Sequence, residues 1–151
     1  MTTRNLLDNP FFLFMFCITA ILINTIFTAY FMLVTFSGFI FLMFYVALKN
    51  RYYYSLMFVI ITFTFLEYNM GLKLFTLSII SLFLYVFIIP FVSRINSFNN
   101  YNKYINITIF YGVLYIIWGM NTSFSETLYF TLLINLLIDA FLLGVLLWLI
   151  G

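Results

Sequence analysis

Residues 11–48 read FFLFMFCITAILINTIFTAYFMLVTFSGFIFLMFYVAL, 38 consecutive positions without a charged side chain. About 20 apolar residues cross the hydrocarbon core of a bilayer, so this stretch is long enough to cross twice. Inside a membrane no water satisfies the backbone, which leaves helices or a closed barrel. Barrel strands alternate apolar and polar residues in segments of about 10. Here the apolar runs are continuous, as again at 81–92 (SLFLYVFIIPFV). The reading is an all-α, polytopic membrane protein.

With 66% hydrophobic and 7% charged residues, the 151-residue chain has room for a single membrane domain. A soluble domain of even about 50 residues finds no place in it. The net charge of +2 rests on six basic and four acidic residues, too few for a nucleic-acid surface. Phe (22) and Tyr (12) are abundant, but Phe sits throughout the apolar runs rather than at their ends. That favours codon drift in an AT-rich genome over interfacial aromatic belts. The lone cysteine, Cys17, has no partner within the chain. Arg4 precedes an apolar stretch far longer than a signal-peptide core and without a small-x-small cleavage site, so the stretch reads as a first span.

Charges and polar clusters divide the chain into six spans, at about 10–30, 33–48, 52–67, 72–92, 104–120 and 127–150. Thr35, Ser37 and Gly38 mark a tight connection between the first two. Lys49-Asn50-Arg51 ends the second. Residues 67–71 form the next turn, with Gly71 free to adopt a left-handed conformation. Pro90 falls near the end of the fourth span, and 94–103 (RINSFNNYNK) is the longest polar loop. No span is interrupted near its middle by Gly or Pro. With a cytoplasmic N-terminus, Arg4, Lys49, Arg51, Arg94 and Lys103 all lie inside and only Lys73 outside. The C-terminus is then cytoplasmic too.

Histidine is absent, which removes the commonest general base and the commonest metal ligand. The four acids, Asp8, Glu67, Glu126 and Asp139, share no helix face, so no carboxylate cluster forms. The chain reads as a non-enzyme without catalytic residues, metal or cofactor. Asp139 nevertheless falls near the middle of the sixth span, where a carboxylate costs roughly 2.5–3.5 kcal/mol to insert. Thr131, Asn135 and Asp139 recur at helical spacing on one face. Such a stripe faces protein or a cavity, and two readings stand side by side. One is a partner-contact, proton or ion site; the other is a protonated acid bonded within the bundle. Ala20, Asn24 and Thr28 form a weaker stripe of the same kind, as do Ser78, Ser81 and Tyr85, both read as helix packing. Taken alone, Glu67 reads as a solvated loop acid.

Residues 45–87 resemble the MreD family, small integral membrane proteins of the bacterial rod-shape machinery. The resemblance is carried by Tyr45-Val46-Ala47-Leu48-Lys49-Asn50-Arg51, by Phe65-Leu66-Glu67, and by Gly71-Leu72-Lys73-Leu74-Phe75-Thr76-Leu77-Ser78. Asn24 late in the first span and Asn135 in the last also fit. Glu67 stands where Asp is common in the family, the turn before Gly71 is shorter, and Asp139 matches no family position. The resemblance implies a non-catalytic scaffold in the bacterial inner membrane that binds MreC, beside RodA, a class B penicillin-binding protein, MreB and membrane lipid. It also implies a six-helix bundle like the substrate-binding subunits of energy-coupling-factor transporters, with a groove or pocket. The competing reading is a small transport protein or transporter substrate-binding subunit, with Asn135 and Asp139 lining its site.

Overall fold

A computed structural model describes residues 9–30, 35–95, 99–122 and 125–150. Among these the chain is all-α and free of strands. The elements are α1 (Pro10–Tyr30), α2 (Ser37–Lys49), α3 (Tyr53–Met70), α4 (Thr76–Phe83), a π-helical stretch (Leu84–Ile88), α5 (Ile89–Ile95), α6 (Asn99–Thr122) and α7 (Glu126–Ile150). Helix α4, the π stretch and α5 follow one another without a break, so six rods result. Four stretches are long and apolar enough to cross a membrane: Pro10–Phe27, Thr76–Arg94, Asn102–Asn121 and Glu126–Trp148.

The outer helices start with local caps. Asn9 Oδ1 accepts the Phe11 N–H at 3.1 Å, and Pro10 occupies the first helical position, where its missing N–H costs nothing. At α7, Ser125 Oγ accepts the Leu128 N–H at 3.2 Å, and Glu126 faces the positive end of the helix dipole. The π stretch lies directly ahead of Pro90, which lacks an N–H and whose ring crowds the preceding turn. Its wider winding accommodates both defects without ending the rod.

The α2–α3 turn closes with the Tyr52 N–H donating to Ala47 O (2.9 Å) and the Arg51 N–H to Leu48 O (3.2 Å). The α3–α4 turn repeats that pattern, with Leu72 N–H to Glu67 O (2.9 Å) and Gly71 N–H to Tyr68 O (3.3 Å). Gly71 is left-handed, at φ 69°, as the sequence leads one to expect. Helix α3, however, continues through Met70, so Glu67 belongs to its last turn and not to a loop.

Helices α1 and α3 run parallel: Phe14 packs on Phe58 and Asn24 bonds Asn69. Helices α6 and α7 run antiparallel, with Tyr115 against Tyr129 near one end and Tyr104 beside Gly144 near the other. Between these layers lies α2, which packs on α1, α3, α4, α6 and α7. Its residues from Ser37 to Phe44 are all buried, a run no amphipathic surface helix shows. The outside of the bundle is the reverse of a soluble protein, with Tyr54, Met57, Ile79, Phe87, Phe141 and Trp148 exposed. Apolar side chains spread over several helices in this way suit contact with hydrocarbon.

Candidate functional site: two buried carboxylates at helix N-termini

Helix α2 has 13 residues and is about 20 Å long, too short to cross a core of about 30 Å. It starts beside Tyr111 and Asp139, each close to the middle of its own long helix. The first turn of α2 therefore lies deep inside the bundle. Thr35 lies in the connection that the sequence marks between the first two spans, and Thr35, Ser37 and Gly38 are all buried. One rod therefore begins near mid-depth, although no apolar run is broken there. Residues 31–34, including the expected start of the second span at 33, lie outside the described residues.

A helix start leaves several N–H groups without intrahelical acceptors, and at this depth water does not supply them. Asp139 of α7 does. Its Oδ2 accepts the Gly38 N–H at 2.9 Å and the Phe39 N–H at 3.2 Å, and also the Tyr111 hydroxyl at 2.6 Å. One turn earlier on α7, Asn135 Oδ1 accepts the Thr35 N–H at 2.9 Å. Asn135 Nδ2 in turn donates to Thr131 O at 2.8 Å. Thr131 is only half-buried and its hydroxyl donates back to Thr127 O, so this third member of the stripe stays out of the site. Gly38 is required for the close approach. A Cβ built there would sit 2.7 Å from Tyr111 Cε2, 2.8 Å from Asp139 Oδ2 and 3.0 Å from Ile107 Cγ2.

Glu67 plays the same part at α4. Its Oε2 accepts the Phe75 N–H at 2.6 Å and its Oε1 the Leu77 N–H at 2.5 Å. The residue is fully buried, which overturns the reading of a solvated loop acid. The physical reason is bivalence. The Glu67 backbone carbonyl closes α3 while its carboxylate opens α4, so one residue holds both sides of the turn. Asn24, also fully buried, accepts a hydrogen bond from Asn69 Nδ2 and ties α1 to the same end of α3. The side chain of Thr28 lies outside the described ones, as does Asp8.

The four candidate residues thus separate into two groups. Asn135 and Asp139 act together at α2, whereas Asn24 and Glu67 secure the α3–α4 end. Tyr111, Thr35 and Ser37 belong to the first group; the sequence marks Thr35 and Ser37 only as a connection, and Tyr111 is one of 12 tyrosines with no distinguishing neighbour. Beside Tyr111 an open groove of about 320 Å³ runs between α6 and α7, lined by Gly112, Tyr115, Tyr129, Leu132 and Leu136. No group of three metal-ligating side chains occurs among the described residues. Comparison with protein-family models, curated proteins and solved structures finds no match to this chain.

Proposed function

We propose that the chain is a non-catalytic scaffold subunit of the bacterial cell-wall elongation complex, binding MreC in the inner membrane. The observation that carries this reading is the position of Glu67. The segment whose residues resemble MreD covers the end of α2 and all of α3 and α4, and its acidic member caps the last of these helices. Asn24, Glu67, Asn135 and Asp139 each bond backbone or another side chain of the bundle, as suits a framework whose working surface is its lipid-facing exterior. Both termini are cytoplasmic in this reading, with five of the six basic residues on that side. RodA, a class B penicillin-binding protein and MreB are the further partners it implies.

Three measurements test it. A detergent pull-down of the tagged protein should recover MreC, and depletion in the host should give rounded or swollen cells with normal solute uptake. Reporter fusions at Asn100 and after Gly151 should read cytoplasmic, and one at Asn121 extracytoplasmic. A second reading, a small transport protein, is favoured by one specific feature. Carriers place helix N-termini near the bilayer midplane to meet a substrate, and α2 begins at such a depth. A specific uptake defect with normal cell shape would select that reading.

A further inference from the structure

Two features at the start of α2 go beyond what a scaffold requires. The first is Oδ1 of Asp139. While Oδ2 takes three donors, Oδ1 is buried and has no hydrogen-bond partner. Unsatisfied buried polar atoms are scarce in folded proteins and call for an explanation. The second is a row of hydroxyls. Tyr111 donates to Asp139 Oδ2 at 2.6 Å, Ser37 Oγ donates to the Tyr111 hydroxyl at 3.3 Å, and Thr35 Oγ1 lies 3.1 Å from Ser37 Oγ.

Charge makes the bare oxygen costly. An ionised carboxylate away from water carries a penalty of several kcal/mol unless a cation answers it. Tyr111 is the titratable group in contact with Asp139. On α2, Lys49 lies about 15 Å along the helix from Phe39, and on α6, Lys103 lies about 12 Å from Tyr111. Glu126 on α7 lies about 20 Å away and has the wrong sign. Helix α1 carries no charged residue between Pro10 and Tyr30, and Glu67 is engaged with α4. A metal ion at Oδ1 needs both space and further ligands, and no group of three metal-ligating side chains occurs among the described residues. A proton needs no space.

We propose that Asp139 is a proton-binding site inside the membrane domain, loaded and unloaded through the hydroxyls of Tyr111, Ser37 and Thr35. In the loaded state the proton is on Oδ1, and Oδ2 remains the acceptor for Gly38, Phe39 and Tyr111. To load the site, Tyr111 passes its proton to Oδ2 and takes one from Ser37, which takes one from Thr35, and Thr35 takes one from hydronium supplied by bulk water. A half turn of the carboxyl group then returns the unprotonated oxygen to the three donors. Each hydroxyl loses one proton and gains one, so the net change is a single proton added to Asp139. This site is independent of the scaffold reading and stands or falls separately from it.

Infrared spectroscopy of the full chain in ether-linked lipid bilayers, whose chains contribute no carbonyl, tests the proposal. The expected result at neutral pH is a protonated-acid carbonyl band that Asp139→Asn abolishes and Glu67→Gln leaves in place. If the Asn variant does not fold, Asp139→Glu should shift that band rather than delete it. A wild-type spectrum without a band assignable by either variant overturns the site. Ser37→Ala should keep the band but slow its shift in deuterated water severalfold. An unchanged or faster shift overturns the relay.

Discussion

Phe36 and Phe75 hold the same left-handed backbone conformation, at φ 50° and 68°, each one residue ahead of a helix whose first N–H groups are taken by an acid from elsewhere. Asp139 serves the helix after Phe36, and Glu67 the helix after Phe75. A left-handed non-glycine residue costs roughly 1–2 kcal/mol. It persists where the surroundings over-determine it, and here the carboxylates do so. Neither helix start carries a cap from its own N-cap side chain.

Gly38→Ala is expected to destabilise the bundle by about 1–3 kcal/mol, the usual cost of overpacking. The added methyl must displace the ring of Tyr111, the carboxylate of Asp139, or α2 itself. Chemical unfolding in detergent measures the effect. A variant as stable as wild type would show that α2 does not approach α6 and α7 as closely as described.

Glu67→Ala strips acceptors from the Phe75 and Leu77 N–H groups, at an expected cost of about 1–3 kcal/mol. Glu67→Gln keeps one carbonyl oxygen and should lose less than half of that. Hydrogen exchange at the start of α4 should quicken in the Ala variant while α7 stays protected. Uniformly faster exchange would show that Glu67 supports the whole bundle rather than one turn.

For Asp139, the Asn variant retains an oxygen that can accept from Gly38 and Phe39, so its stability should match wild type closely. Asp139→Leu leaves both N–H groups buried and unpaired, with an expected loss of about 1–3 kcal/mol. Paired melting curves decide. An Asn variant as unstable as Leu would mean that the negative charge, and not the acceptor, holds α2 in place.

Gly71→Ala tests a backbone effect without a steric one. Nothing lies within 4 Å of a Cβ added there, yet φ is 69°. A loss of about 1 kcal/mol is expected, with Gly71→Asn losing less because Asn tolerates this conformation. Equal stability of all three proteins would show that the turn relaxes at Gly71.

Hydropathy makes the helical membrane class legible because lipid demands continuous apolar runs, and that demand leaves a strong mark between residues 11 and 48. Gly71 was legible for a related reason, since few residues other than glycine take a left-handed turn without cost. Asn135 and Asp139 were readable as inward-facing from their helical spacing. What they face was not, because their partners Thr35, Gly38 and Tyr111 are distant in sequence and ordinary in type. Depth was illegible as well. Hydropathy scores Ser37 and Gly38 as weakly polar, which suits a border connection as well as the buried start of a helix. Glu67 misled for the same reason: a carboxylate beside a turn looks solvated until the helix it caps is seen.

The hydrogen bonds from Gly38 and Phe39 to Asp139 span 101 and 100 residues of chain. During synthesis, α2 therefore enters the membrane long before its acceptor exists. Until α7 leaves the ribosome, the start of α2 must stay near water or near the insertion machinery, because hydrocarbon would leave its amides unpaired. Final seating of the second helix is thus deferred to the arrival of the last. A chain stopped ahead of Asp139 should be recognised as unfinished by membrane proteases, although most of its apolar length is already in place.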